Sequence, residues 1–268
     1  MTPTLKCISR LLLAACVTAT MSGSAVAQLT KPFEPYSGQP GKDVVWVPTQ
    51  QSLVDRMLDM AKVTPKDFLV DLGSGDGRTV ITAAKRGTRA MGVEFNPDMV
   101  ALSKKNAIAA GVADKATFVQ GDIFETDFSK ADVVTLFLLS SLNLRLRPTL
   151  LNMKPGTRVV ANTFDMGEWE PDDRIQSGAD CSSFCNAMLW IVPAKADGAW
   201  KMGKNELTLT QNFQMLTGTV NAAPISNGKM HGAEISFTAG GKLYTGRVNG
   251  NRIDGSVSDG SKWQATRG

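Results

Sequence analysis

The stretch VDLGSGDGRTV at residues 70–80 decides the fold. It joins the short apolar run FLVDL at 68–72 to a helical run that begins at Arg78, with three glycines between them. Glycine permits a sharp turn and lets backbone N–H groups come close to a ligand at the start of a helix. A strand, a glycine-rich loop and a helix in this order predict a ligand-binding βα unit.

The residues on either side continue an alternation of helices and strands. Asn96 and Pro97 are typical of a helix start, and Gly111 is typical of a helix end. We expect strands at 68–72, 89–95, 116–120, 132–139 and 157–164, and helices at 51–61, 78–86, 96–111 and 142–153. The pattern predicts an α/β fold, a doubly wound Rossmann-like sheet whose ligands bind at the carboxyl ends of its strands.

The pattern changes after about residue 203. Short alternating runs are separated there by hairpin turn signals, among them Asn227-Gly228 and Asn249-Gly250. Residues 186–194 and 198–202 are predicted to close the first sheet as a hairpin. The remainder predicts a small antiparallel β domain, either a barrel or an extension of the sheet. The expected division is a signal peptide at 1–27, an extended lead-in at 28–45, the α/β domain at 46–203 and a β-meander domain at 204–268.

The N-terminus has the pattern of a secretory signal peptide. Lys6 and Arg10 precede an apolar run at 11–19, and a small-residue stretch ends at Ala27. We expect cleavage near Ala27 and export to the periplasm. An uncleaved membrane anchor is the first alternative, but the apolar run is far shorter than the roughly 20 residues that span a bilayer. Lipid attachment at Cys16 is the second alternative.

Charge and cysteine content limit the classes of partner and cofactor. The chain has 29 Lys and Arg against 25 Asp and Glu, and its basic residues form no cluster, so we expect no nucleic-acid partner and no integral membrane span. Cys181 and Cys185 lie outside the signal peptide and suit a local disulfide in an oxidising compartment, with two free thiols as the alternative. No metal site is predicted, because His231 is the only histidine and is distant in sequence.

Acidic residues lie at, or just past, the ends of the first three predicted strands of the sheet. Asp71 precedes the glycine loop, where a carboxylate would repel a pyrophosphate and attract a cationic amino group. Glu94 lies at the end of the second strand, where such an acid accepts from ribose hydroxyls. Asp122 follows the third strand and is placed to accept from an adenine amino group, with a helix cap or turn role as the alternative. The pattern favours a cationic amino-acid nucleoside.

These motifs resemble those of a known enzyme family. VDLGSGDGRTVITAA, GVEFNP and GDIFETD look like the glycine and acidic motifs of class I S-adenosylmethionine-dependent methyltransferases. VWVPTQQSLVDRML is similar to a segment of a narrower group, the lysine methyltransferases of the mitochondrial ATP synthase c-subunit and adenine nucleotide translocase, with bacterial relatives. The resemblance covers about residues 43–203. It implies S-adenosyl-L-methionine as cofactor, and the residues predicted to bind it are Asp71, Gly73, Ser74, Gly75, Gly77, Glu94, Asn96, Asp122 and Ile123.

The methyl acceptor is expected above the ends of the fourth and fifth strands. Methyl transfer needs an aligned, unprotonated nucleophile more than a dedicated general base. Asn143 and Asp165 are the candidate catalytic residues, since they are able to orient an amine. The predicted substrate pocket consists of Trp46, Pro48, Thr49, Ser140, Ser141 and Trp169. The alternative is that Ser140 and Asn143 cap the following helix and that Trp169 packs against the sheet.

Two functions from different classes remain open. The first is a methyltransferase acting on an amine acceptor such as protein lysine. The second is an exported binding protein that has the same fold and no turnover, favoured because S-adenosylmethionine is made from ATP and is not expected in the periplasm. An NAD(H)-dependent oxidoreductase is a third reading, which Asp71 and the glycine spacing disfavour.

Overall fold

The computed structural model describes residues 1–2, 33–176 and 181–268. The predicted signal peptide, apart from its first two residues, and residues 28–32 of the lead-in lie outside the described residues. The helices in the described ranges are α1 (Gln51–Met60), α2 (Arg78–Lys85), α3 (Pro97–Ala109) and α4 (Ser140–Leu151). None of these helices is long and apolar enough to cross a membrane.

The first sheet has seven strands. They are β1 (Phe68–Leu72), β2 (Arg89–Glu94), β3 (Ala116–Gln120), β4 (Val133–Leu136), β5 (Arg158–Asn162), β6 (Asp173–Gln176) and β7 (Asn186–Ile191). Their spatial order is β3-β2-β1-β4-β5-β7-β6, and β1 to β5 are parallel. The order reverses beside β1, so the carboxyl ends of β1, β2 and β4 meet at one edge. This topology confirms the predicted doubly wound sheet.

Apolar side chains cover both faces of this sheet. One core contains Leu53 and Leu58 of α1 and Val80 of α2, and the other contains Leu146 and Leu150 of α4. All four residues of β4 are buried, as expected for a central strand covered by helices on both sides. The two layers hold the strand ends, and therefore the loops that follow them, in fixed positions.

The predicted hairpin between residues 186–194 and 198–202 does not form. Strand β7 lies between β5 and β6 and is antiparallel to both. Strand β8 (Gly198–Met202) pairs with β9 (Asn205–Asn212) of the second sheet instead. Burial explains the difference. Five of the six residues of β7 are buried, as suits the interior of a sheet, whereas β8 alternates and has one wet face.

The second sheet is antiparallel and closes on itself. After β8 and β9 it contains β10 (Met215–Val220), β11 (Ala223–Pro224), β12 (Ser226–His231), β13 (Glu234–Ala239), β14 (Lys242–Asn249), β15 (Arg252–Val257) and β16 (Lys262–Thr266). The pairing of β9 with β10 closes it into a barrel, which removes exposed strand edges. Trp200, Met230, Phe237 and Ile253 fill the interior. The chain therefore has the predicted C-terminal β domain in its barrel form.

Candidate active site

A cleft of about 1020 Å³, including its open mouth, lies at the carboxyl edge of the first sheet. Its walls come from the lead-in and from the loops after β1, β2, β3 and β4. Ten of the residues predicted from the sequence line it, namely Trp46, Pro48, Thr49, Asp71, Gly73, Ser74, Glu94, Asn96, Asp122 and Ile123. Topology therefore brings together residues that are up to 77 positions apart.

The glycine loop is tied to the end of β2. The amides of Gly73 and Ser74 both donate to the carbonyl of Val93, at 2.9 and 3.0 Å. The Glu94 carboxylate accepts from the amides of Gly75 and Asn96, each at 2.9 Å. Each carboxylate oxygen of Glu94 still has a free lone pair, because an ionised carboxylate has about four acceptor positions. Glu94 thus fixes the loop and retains capacity for a ligand hydroxyl.

Two loop glycines are required by the backbone and by a neighbouring ring. Gly77 begins α2 with φ 83°, a left-handed conformation that favours glycine. Gly75 has φ 53°, and a Cβ built on it would lie 2.3 Å from Nε1 of Trp46. Trp46 is itself held by the lead-in, where its amide donates to Gln39 at 2.9 Å and its carbonyl accepts from Gly38 at 2.7 Å. The lead-in therefore packs directly on the glycine loop.

Asp71 is a buried carboxyl group at the floor of the cleft. Its pKa is raised to about 7, mainly by burial, and the nearby carboxylates of Glu94 and Asp76 contribute to the rise. A hydrogen bond of 2.6 Å from the Thr135 hydroxyl opposes this shift. A cation placed beside Asp71 would favour the ionised form. The group is thus suited to pair with an ammonium ion.

Asp122 also lines the cleft and already has a cationic partner. Lys42 of the lead-in forms an ion pair with it and lies 4.9 Å from the centroid of the Phe95 ring. The amide of Phe124 also donates to Asp122, at 2.9 Å, so the turn role considered from the sequence is present as well. The hydrogen bond from Lys42 is the main cause that lowers the pKa of Asp122.

The predicted catalytic residues are placed differently from expectation. Asn143 is fully buried, and its amide donates to the carbonyls of Phe164 and Asp165 at 2.9 and 3.2 Å. Asp165 is exposed and accepts from the amide of Gly167 at 3.2 Å. Neither residue lines the cleft. Asn143 fixes the loop after β5 rather than facing an acceptor.

The predicted substrate residues after β4 and β5 also lie outside the cleft lining. Ser140 and Ser141 open α4, whose N-cap is Leu139, so Ser140 does not cap the helix. Trp169 is fully buried, and its ring centroid lies 6.1 Å from that of Trp190 and 6.2 Å from that of Phe213. Its role is packing, which was the alternative weighed from the sequence.

The two cysteines are joined in the structure. Cys181 and Cys185 form a disulfide whose Cα atoms are 5.7 Å apart. Among the described residues, no group of three His, Cys, Asp or Glu side chains is placed to hold a metal ion.

Comparisons with known proteins identify the family. The profile of the ANTKMT methyltransferase domain matches residues 71–173. A protein-lysine N-methyltransferase of Saccharolobus islandicus is 45% identical over 136 residues, which are 50% of this chain and 84% of that protein. This chain belongs to the ANTKMT methyltransferase family.

Two further relatives of this methyltransferase cover similar lengths. The lysine N-methyltransferase of the ATP synthase c-subunit from Mus musculus is 36% identical over 136 residues, 50% of this chain and 55% of that protein. A crystal structure of an RNA methyltransferase from Salinibacter ruber with S-adenosyl-L-homocysteine is 48% identical, with a TM-score of 0.52. That match covers 56% of this chain and 95% of the other. The protein is thus an S-adenosylmethionine-dependent methyltransferase.

The residues of the cleft fit this cofactor. Ser74 lines the cleft, and its buried hydroxyl has no hydrogen-bond partner among the described residues, which marks an unsatisfied polar group in the cradle. The cleft also contains the buried carboxyl group of Asp71, which suits a cation. The glycine loop beside it leaves no room for a side chain at Gly75.

Several cleft residues were missed by the sequence analysis. They are Lys42, Phe95, Phe137, Leu138 and Leu142. Phe137 and Leu138 belong to an apolar run, and the sequence of such a run does not indicate which of its side chains face the cleft and which face the core. Of these residues, only Phe95 had a sequence signal for a place in the cleft, namely its position directly after Glu94.

Proposed function

We propose that this methyltransferase transfers the methyl group of S-adenosylmethionine to the ε-amino group of a lysine in a protein. The observation that carries the proposal is the 45% identity to a protein-lysine N-methyltransferase, over a match that covers 84% of that enzyme. Relatives described as lysine N-methyltransferases of the ATP synthase c-subunit support the same acceptor class.

We assign the cofactor contacts to the three acids of the cleft. Asp71 binds the ammonium group, because it is a buried carboxyl group without a cationic partner among the described side chains that bond to it. Glu94 accepts from the ribose hydroxyls with its free lone pairs. Asp122 accepts from the adenine amino group once Lys42 releases it. When bound, the cofactor supplies an electrophilic methyl group, and the protein supplies position.

The acceptor amine must reach the cofactor without its proton, since the nitrogen lone pair is the nucleophile. Leu138 and Leu142 give the β4 side of the cleft an aliphatic, apolar wall. An apolar wall disfavours the charged form of an amine and lowers its pKa. This arrangement favours deprotonation by desolvation, with the proton passing to solvent.

We also propose that the protein acts after export to the periplasm. The support is the sequence pattern of residues 1–27, with Lys6 and Arg10 before an apolar run and the expected cleavage site at Ala27. Cell fractionation, with the N-terminus of the purified protein determined, tests this. A protein found in the cytosol with Met1 retained would contradict it.

The acceptor class is tested with the full chain, radiolabelled S-adenosylmethionine and an extract of the source cells. One portion of the extract is treated with ribonuclease, and another has its lysines blocked by acetylation. We expect label that survives ribonuclease and disappears after lysine blocking. Label removed by ribonuclease would identify RNA as the acceptor, in line with the Salinibacter ruber relative. Cofactor binding without any transfer of label would favour a binding protein.

A further inference from the structure

Three phenylalanine rings from three separate segments meet beside the cleft. Phe137 follows β4, Phe164 follows β5, and Phe184 lies in the loop between the bonded cysteines. The centroid of Phe137 is 6.2 Å from that of Phe164 and 5.3 Å from that of Phe184. The centroids of Phe164 and Phe184 are 6.1 Å apart. Because Phe137 also lines the cleft, the group is continuous with the cofactor site.

The backbone that carries two of the three rings is fixed by specific contacts. The carbonyl of Phe164 accepts from the buried Asn143 amide at 2.9 Å. Phe184 has φ 54°, a conformation that a bulky residue rarely adopts. The disulfide between Cys181 and Cys185 closes the short loop that contains it. The covalent bond therefore restrains the backbone at Phe184.

Core packing does not explain Phe184. Its side chain is 38% exposed, so the strained conformation places an aromatic ring at the surface. A residue kept in an unfavourable backbone conformation by its surroundings is typical of functional sites. Phe184 packs on Phe137, which lines a cleft that has acids on its cofactor side and apolar residues on its β4 side.

Aromatic faces attract cations that carry little water of hydration, and methylated ammonium groups are the clearest case. A lysine side chain has an apolar stem that packs on such rings and a cationic head that interacts with their faces. Methylation of the head removes hydrogen-bond donors and keeps the charge. A group of aromatic rings therefore suits both the acceptor and its methylated product.

We propose that Phe137, Phe164 and Phe184 form the subsite that receives the acceptor's lysine side chain. Phe184, positioned by the Cys181–Cys185 disulfide, determines specificity there. Asn143 is a positioning residue for Phe164. This inference rests on the proposed lysine methyltransferase function and adds the residues that recognise the acceptor.

The first test is kinetic and uses the full chain with poly-L-lysine as acceptor. Phe184→Ala is expected to raise the KM for poly-L-lysine about tenfold, the order of one lost cation–π contact. The Kd for S-adenosylhomocysteine should stay within about twofold. Phe184→Tyr should restore the wild-type KM, and the double variant Cys181→Ser/Cys185→Ser should shift it in the direction of Phe184→Ala. Leu243→Ala, at a similarly exposed position on the barrel, is the control.

The second test does not depend on turnover. Calorimetric titration compares Nα-acetyl-Nε-trimethyl-lysine amide with its uncharged tert-butyl analogue, which has the same shape. The wild type should bind the cation about five times more tightly than the neutral analogue, and Phe184→Ala should bind the two equally. Equal binding by the wild type, or a preference that survives in Phe184→Ala, would overturn the subsite.

The two proposals fail separately. If the wild-type enzyme methylates no lysine but prefers the trimethyl-lysine ligand to its neutral analogue, the proposed function is wrong and the cation subsite stands. A wild-type enzyme that methylates lysine with a KM unchanged by Phe184→Ala would overturn the subsite alone.

Discussion

Thr135 donates a hydrogen bond of 2.6 Å to the buried carboxyl group of Asp71, in adjacent strands of the sheet. Despite this bond, burial holds the pKa of Asp71 at about 7. Near neutral pH the ligand-free protein therefore carries this group partly protonated. Binding a cationic cofactor at Asp71 has to remove that proton.

This linkage predicts how the affinity for S-adenosylmethionine depends on pH. Below pH 7 the affinity should fall about tenfold for each pH unit, because the carboxylate must first lose its proton. Calorimetry from pH 5.5 to 8, in two buffers of different ionisation enthalpy, measures both the affinity and the proton released. Asp71→Asn is the control and should give a low affinity with little pH dependence over this range. A flat wild-type profile would contradict the assignment.

The same group predicts a cost in stability. The folded protein holds a proton on Asp71 up to about pH 7, whereas an ordinary Asp releases it near 3.8. Between these two pKa values the folded state binds more protons than the unfolded state. The contribution of Asp71 to the free energy of unfolding is therefore most favourable below the lower value and becomes less favourable as the pH rises toward the upper one. At pH 8, Asp71→Asn should therefore unfold at a higher temperature than the wild type. The expected gain in the free energy of unfolding is about 1–4 kcal/mol. Thermal unfolding at pH 4 should show a smaller difference.

The contact between Gly75 and Trp46 predicts the effect of one added methyl group. Gly75→Ala places a Cβ 2.3 Å from Nε1 of Trp46, so the indole must move and the lead-in with it. We expect cofactor affinity to fall at least about tenfold, the order of one lost close contact. Gly250→Ala has the same left-handed φ, at 58°, with no atom within 4 Å. That control should lower stability by about 1 kcal/mol and leave affinity unchanged. Equal effects of the two variants would argue against the packing role of Trp46.

The ion pair of Lys42 with Asp122 predicts competition with the cofactor. Lys42→Met keeps most of the apolar stem and frees the Asp122 carboxylate, so affinity for S-adenosylmethionine should rise at low salt. The difference should shrink at high salt, where exposed charges are screened. Lys229→Met removes a similar pair with Asp172, where the two groups are 3.3 Å apart, and serves as the control. A lower affinity in Lys42→Met would show that Lys42 helps to bind the cofactor.

Substitution of Trp169 distinguishes a role in packing from a role in acceptor binding. Trp169→Ala should lower the free energy of unfolding by about 3–5 kcal/mol, as expected for a large buried ring. Trp169→Phe should retain the fold, with the cofactor Kd and the acceptor KM both unchanged. Chemical denaturation and steady-state kinetics measure the two properties. A folded Trp169→Phe variant with a raised acceptor KM would restore the role predicted from the sequence.

The cofactor side of the cleft was predictable because topology determines it. Asp71 and Glu94 lie at the carboxyl ends of β1 and β2, Asp122 follows β3, and the carboxyl ends of parallel strands meet at one edge. Their approach therefore needs only the order of strands and helices, which the glycine loop and the helix caps indicate. The side chains at these positions have little freedom to point elsewhere.

The acceptor side was not predictable in the same way. Whether Asn143 faces the cleft or the loop after β5 depends on how α4 rotates as its apolar face packs on the sheet, and the local sequence does not fix that rotation. The proximity of Phe184 to Phe137 depends on a disulfide loop that joins two antiparallel strands. Likewise, β7 enters the sheet beside β5 because it is buried on both faces, a property that a short apolar run shares with other buried elements.

The most direct test of the cofactor site is a calorimetric titration of the full chain with S-adenosylmethionine at pH 8, beside Asp71→Asn. We expect saturable binding to the wild type and at least tenfold weaker binding to the variant, about 1.4 kcal/mol for one charge-assisted contact. No heat from the wild type at about 1 mM ligand, or equal affinity in the two proteins, would contradict it.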